Sequence, residues 1–405
     1  MIQKYFQTKT TRNFSIAMVW INGGSCSDGE GKKGVNKILS SLLGRGCKGY
    51  ENLQFSEYID LHGAELNLET FEDGILISLK SLDEYCYKIF PLLELMIHKP
   101  SLLKSQFHNV KKTTIDSLKK DKENPFNIAF EKWRKLVYFQ HPYAYNASGY
   151  EEDISNITHD DILYEYENFK SRNKYLISNN LITNNKNNEL FIKNNSEINI
   201  NSIQTDLNNL NRYTSTHRES NQIISMIGNQ TCSRSSHEYL PLKVLESHLS
   251  YGMSSKLFQL FREKNGLTYD VGVFNPIRKK NSPFLIYLSV SNKNAILAFK
   301  ILIKLWRDLL RSTIAEKEIK LAKIKLKSSF LISNQTLDEI LQKRIQLIGY
   351  GLDPDSEMDS LKKIEDIKSE DILKITNKYF SKPFLSIYGD KKICNEINKI
   401  WITNF

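Results

Sequence analysis

The chain repeats itself at an offset of 210 residues, and this limits its architecture more than any other feature. Ile154, Ile157, Asp161, Ile162 and Leu163 recur as Ile364, Ile367, Asp371, Ile372 and Leu373. Self-similarity over such a period means that one structural unit has been built twice. With 405 residues, each copy is large enough to bury a core of its own.

The flanking elements keep step with the repeat. A β-rich run at Ile16–Ile21 precedes an amphipathic helix from Gly34 to Leu43, whose Val35, Ile38, Leu39, Leu42 and Leu43 form one apolar stripe. A second run, Gln222–Ile227, precedes a helix at Tyr239–Leu249. Two long helical patterns, Asp83–His98 and Leu103–Lys122, answer to Asn294–Ser312 and Ala315–Ser333, and Pro91 predicts a kink in the first. Strands and helices mix without strict alternation. The expected fold is therefore α+β: two duplicated halves related by pseudo-two-fold symmetry, each a largely antiparallel sheet backed by helices. The polar, Asn-rich stretch between about Asn179 and Asn221 marks the junction, giving domains at 1–185 and 186–405.

Bulk properties narrow the function. The net charge of +10 invites a nucleic-acid reading, but the lysines are scattered and no basic stripe is interleaved with aromatics. No apolar run is long enough to span a bilayer, and the polar N-terminus lacks the zones of a secretory signal. The expectation is a cytoplasmic protein that binds neither nucleic acid nor membrane. Five widely spaced cysteines without a Cys-x-x-Cys fit a reducing compartment. No two of the eight histidines lie three or four residues apart, and each is expected to be a surface or hydrogen-bonded structural residue.

Several short motifs occur in a fixed order. They are Gly23-Gly24-Ser25, Gly34, Gly46, Gly63-Ala64 with Asn67 and Thr70, Asn124-Pro125, and His141-Pro142-Tyr143 with Gly149 and Ile154. The segment Gly252-Met253-Ser254-Ser255 through Arg262 and Gly266 to Tyr269 follows them. On a duplicated frame, this series resembles the pitrilysin/insulinase family of zinc metallopeptidases. The resemblance implies two halves of a clam-like unit that encloses a peptide-degrading chamber with a second such unit.

In that family a His-x-x-Glu-His helix in the first half binds zinc, with the glutamate as general base and a distant carboxylate completing the ligand set. Matching on Gly34 and Gly46 puts Lys37, Ser40 and Ser41 at the His, Glu and His positions, and Ser117 at the distant glutamate. Lys37, Ser40 and Ser41 are expected to lie together on the face of the helix opposite the apolar stripe. None is a zinc ligand, so the expectation is that this chain binds no cofactor and no metal and has no catalytic residue of its own.

Local pattern alone makes Arg262 a solvated helix charge and Tyr269 a core residue in strand parity with Leu267, Val271 and Val273. It also has Ser254 or Ser255 cap the helix and Gly266 end it in the left-handed conformation. The resemblance implies a different role for the pair, as substrate-binding groups. Guanidinium offers a fork of donors to peptide oxygens, and a phenol can donate to a developing oxyanion. The chain then reads as the non-catalytic subunit of a heterodimeric metallopeptidase. It supplies Arg262 and Tyr269 in trans to a homologous subunit that bears His-x-x-Glu-His and the zinc, and it acts on peptide substrates. The alternative is a non-proteolytic scaffold or peptide-binding protein like the core proteins of respiratory complexes.

Overall fold

The computed structural model describes residues 5–6, 13–180 and 211–405. Its elements fall into two compact units.

The first unit holds strands β1 (Tyr5–Phe6), β2 (Phe14–Asn22), β3 (Glu65–Thr70), β4 (Gly74–Leu82) and β5 (Lys174–Ser178) in the order β1-β5-β2-β4-β3. The second holds β6 (Tyr213–His217), β7 (Gln222–Gln230), β8 (Thr268–Phe274), β9 (Pro283–Ser291) and β10 (Phe384–Gly389) in the order β6-β10-β7-β9-β8. The two orders are the same pattern. In each sheet the first edge strand pairs in parallel with its neighbour and the remaining pairs are antiparallel. The duplicated α+β fold read from the repeat is thus the fold of the chain.

The repeated residues have a common physical task. Ile154, Ile162, Ile364 and Ile372 are buried in the cores of their units. Asp161 accepts the Thr158 backbone N–H at 2.7 Å, and Asp371 accepts that of Lys368 at 2.9 Å. Each carboxylate reaches back over the first turn of its helix, His159–Ser171 or Ser369–Phe380, and satisfies a donor left open there. The expected helices appear at Val35–Leu43, Lys104–Asp121, Tyr239–Ser250, Ala295–Arg311 and Glu316–Ile332. The helical pattern near Pro91 is broken as expected, with Cys86–Ile89 ending before a new helix, Pro91–His98.

The units are not continuous in sequence. The first comprises Met1–Asp121, Tyr145–Ser202 and Thr336–Pro354, and the second comprises Lys122–Ala144, Ile203–Gln335 and Asp355–Phe405. Each half of the chain therefore lends a helix to the other unit. Pro125–Tyr138 packs on the second sheet, where Trp133 Nε1 donates to the Phe384 carbonyl at 3.3 Å and Ser386 Oγ donates to the Ala129 carbonyl at 2.8 Å. Leu337–Gly349 packs on β2 and β5 of the first sheet with Leu341 and Ile345 fully buried. The boundary expected at 185/186 lies outside the described residues. All five cysteines are buried and none forms a disulfide. No helix among the described residues is long and apolar enough to cross a membrane.

Candidate functional site

The Val35–Leu43 helix is positioned by a buried polar network. Gly34 opens it at φ 102°, and Gly149 at φ 81° lies so close that a Cβ there would stand 2.3 Å from the Lys33 carbonyl oxygen. The Asp28 carboxylate accepts the N–H groups of Gly34 at 2.7 Å and Asn36 at 3.1 Å, together with the Asn36 amide at 2.7 Å. Burial pushes the Asp28 carboxyl up to about 6, against the pull of these hydrogen bonds and of Lys33. Asn36 also donates to Glu165 at 3.0 Å and accepts from Arg172 at 2.6 Å, while Arg172 pairs directly with Glu165. Both side chains of that ion pair are almost completely buried.

The positions that match the zinc motif do not fit a metal. Ser40 is fully buried, contrary to its expected place on the face away from the core. The cause is the packing of this side of the helix on β3: Ser40 Oγ bonds to Thr70 Oγ1 at 2.7 Å and donates to the Lys37 carbonyl at 3.0 Å. Ser41 Oγ donates to the same carbonyl at 2.9 Å. Both hydroxyls are thus committed to their own helix. Lys37 is half-buried, and its ammonium makes no ion pair among the described residues. Ser117 and its neighbour Asp116 are exposed on the Lys104–Asp121 helix. Among the described residues, no group of three or more His, Cys, Asp or Glu side chains could hold a metal ion.

The arginine/tyrosine segment is irregular at both of its key positions. Ser255 stands at the N-cap, but its hydroxyl makes no capping bond. A short α-turn, Lys256–Phe258, passes into a π-turn, Gln259–Glu263, that carries Arg262. The turn closes with Lys264 N donating to the Gln259 carbonyl at 3.0 Å, Gly266 N to Arg262 at 3.0 Å, and Leu267 N to Phe261 at 2.8 Å. The last two bonds each span one residue more than in an ordinary Schellman ending, as a π insertion requires. Gly266 takes the expected left-handed conformation at φ 57°. Arg262 is exposed, its guanidinium lies 5.0 Å from the Phe258 ring centroid, and it makes no ion pair among the described residues. Its donors are free for a ligand.

The strand after the stop bears a β-bulge. Thr268 pairs with Val290 and Asp270 with Ser289, so Tyr269 is the extra residue. The bulge breaks the simple alternation read from Leu267 to Val273. Single π-turns and β-bulges both recur beside functional sites, where they re-aim one side chain.

One histidine departs from expectation. His248, on the Tyr239–Ser250 helix, is only 8% exposed and its ring makes no hydrogen bond among the described residues. Burial, against the pull of Glu318 and aided by Lys256 and Lys325, pushes its pKa down to about 4. Its spacing in the sequence gives no sign of this, because the groups around it come from two other segments.

Comparison with known proteins accords with this geometry. Residues 5–148 match the family described as Insulinase (Peptidase family M16), and residues 177–326 match the Peptidase M16 inactive domain. An "Uncharacterized zinc protease" of Rickettsia bellii (strain RML369-C) is 23% identical over 370 residues, covering 88% of each chain. A "Non-peptidase homolog YmxG" of Helicobacter pylori (strain ATCC 700392 / 26695) is 25% identical over 163 residues, 40% of this chain and 37% of its own. Among solved structures, a peptidase M16 inactive domain from Pseudomonas fluorescens superposes with a TM-score of 0.83 at 18% identity, covering 96% of this chain and 95% of its own. A protease from Helicobacter pylori gives 0.84 at 18%, covering 95% and 96%. The duplicated sheets, the altered metal helix and these matches together establish that the chain belongs to the insulinase (peptidase M16) family, as a degenerate member without its zinc-binding motif.

Proposed function

We propose that this chain is the non-catalytic subunit of a two-chain zinc metallopeptidase, holding peptide substrates through Arg262 and Tyr269 while a homologous subunit supplies His-x-x-Glu-His and the metal. The observation that carries this reading is an asymmetry. The zinc positions have become a half-buried lysine and two serines whose hydroxyls are tied into the fold, whereas Arg262 stands exposed, without an ion pair among the described residues, on a π-turn. A guanidinium in that state is available to peptide carbonyl or carboxylate oxygens. A phenol on the bulged strand is suited to the oxyanion formed when metal-bound water attacks.

The test is reconstitution. The purified chain is mixed with a co-encoded family member that bears the intact motif, and peptide cleavage is measured. The chain alone is expected to be inert, and the pair active. Arg262→Ala and Tyr269→Phe in this chain should each lower kcat/KM of the pair by about a hundredfold, the usual size for losing one transition-state donor. Unchanged cleavage by the pair would remove both residues from the mechanism. The name of the Helicobacter pylori relative, a non-peptidase homologue, supports a second reading, a scaffold or peptide-binding protein. That reading expects a stable complex without cleavage in the same experiment.

A further inference from the structure

The second unit contains a cavity of about 170 Å³ beside the arginine-bearing turn. Its walls come from three segments: His248 on the Tyr239–Ser250 helix, Ser254 to Lys264 along the turn, and Glu318 to Lys325 on the Glu316–Ile332 helix. The lining is unbalanced in charge. Lys256, Lys264 and Lys325 face a single carboxylate, Glu318. Lys256 meets Glu318 at 3.6 Å, with both side chains substantially exposed, a contact that contributes little and rearranges easily. Lys264 and Lys325 have no ion partner among the described residues. His248 adds a buried imidazole with no hydrogen-bond partner, and Ser254 and Gln259 add neutral donors.

Two of the lining ammonium groups, on separate segments, lack a carboxylate partner among the described residues, and the ring of His248 offers an N–H beside them. The cavity, about 170 Å³, has the volume of nearly six waters at about 30 Å³ each. We infer that it binds a small, doubly charged oxyanion, phosphate or a dicarboxylate, held by Lys264, Lys325 and the ring N–H of His248. The ligand's two charges match the two unbalanced lysines, and its oxygens supply the acceptor that His248 lacks. Gln259 and Lys264, which line the cavity, also close the π-turn, so occupancy steadies the backbone that carries Arg262.

The inference does not depend on the reading of function above, because the lone full-length chain suffices to test it. Inorganic phosphate, succinate and acetate are titrated at low ionic strength by calorimetry, and the His248 imidazole signal is followed by NMR. Phosphate or succinate should bind at a single site and move that signal, with acetate weaker. The double variant Lys264→Gln/Lys325→Gln, at exposed and half-buried positions that leave the core intact, should weaken binding by about tenfold or more through loss of two charge-assisted contacts. Saturation by phosphate alone assigns a phosphate site, and saturation by succinate alone a carboxylate site. A His248 signal that neither anion moves, or equal affinity in the double variant, would overturn the inference.

Discussion

The two units share a sheet order and have diverged in what they do with the helix that follows the central strand. In the first, the Val35–Leu43 helix is bound into the protein from both sides: an apolar stripe on one face, Ser40 against Thr70 on another, and Asp28, Asn36, Glu165 and Arg172 around its start. In the second, the Tyr239–Ser250 helix has its own buried pair, Lys243 with Glu246 at 2.7 Å, to which Tyr251 and Asn275 also donate. It ends, however, at His248 and a charged cavity beside the π-turn. One unit has turned a metal-binding element into structure, and the other has kept its polar groups open. The same topology supports both outcomes because neither disturbs the sheet.

The comparison breaks first if the first unit's network is not structural. Arg172→Met leaves Glu165 and the Asn36 side-chain oxygen Oδ1 buried without their strongest donor. Uncompensated buried charge of this kind typically costs about 3–5 kcal/mol. Denaturant unfolding at pH 7 should show a loss of that size, concentrated in the signal of Trp20, the tryptophan of the first unit. A loss below about 1 kcal/mol, the level of an exposed pair, would mean that the helix is not held by this network.

Acidification should affect the two units in opposite directions. Asp28 is raised from 3.8 to about 6 on folding, so its contribution is fully present below 3.8 and lost as pH rises through 6. His248 is lowered from 6.5 to about 4, so its contribution is present above 6.5 and lost as pH falls through 4. Each displacement corresponds to about 3 kcal/mol across its own range. Hydrogen exchange, corrected for intrinsic rate, should show the Val35–Leu43 helix gaining protection and the Tyr239–Ser250 helix losing it between pH 7 and pH 4.5. Asp28→Asn and His248→Gln should each flatten the response of their own unit and leave the other's intact.

Much of the fold was legible because duplication makes each half a check on the other. The isoleucines at the 210-residue offset are core residues, and the paired aspartates are helix-start groups. The loss of the zinc motif was legible for a simpler reason: a helix without a histidine cannot supply that ligand set. The exchange of helices was not legible. The apolar faces of Pro125–Tyr138 and Leu337–Gly349 say that each packs on something, and nothing in a local pattern says on which sheet. Ser40 was misplaced because its partner, Thr70, lies on a strand thirty residues away. The cavity around His248 escaped for the same reason, since its lysines belong to separate segments.

A smaller effect separates shape from chemistry in the second unit. Gly266 sits at φ 57° with no atom near the position of a Cβ, so Gly266→Ala meets no clash. It incurs only the backbone cost of a left-handed alanine, about 1 kcal/mol. Thermal unfolding should register that loss. In the reconstituted pair, cleavage should fall by more than the stability change accounts for, because the residue sets the exit of the turn that aims Arg262.

The smallest expected change in stability is the most informative. Arg262 is exposed, makes no ion pair among the described residues, and lies over the Phe258 ring. Removing such a side chain typically shifts stability by no more than about 0.5 kcal/mol. Arg262→Ala should therefore unfold with the wild-type protein while the reconstituted activity drops. If it proves destabilising by about 2 kcal/mol or more, well outside the surface range, the residue holds the π-turn together and its freedom for substrate is lost as an argument. If stability and cleavage are both unchanged, the turn is a relic like the Val35–Leu43 helix. The two units would then have diverged less than their geometry implies.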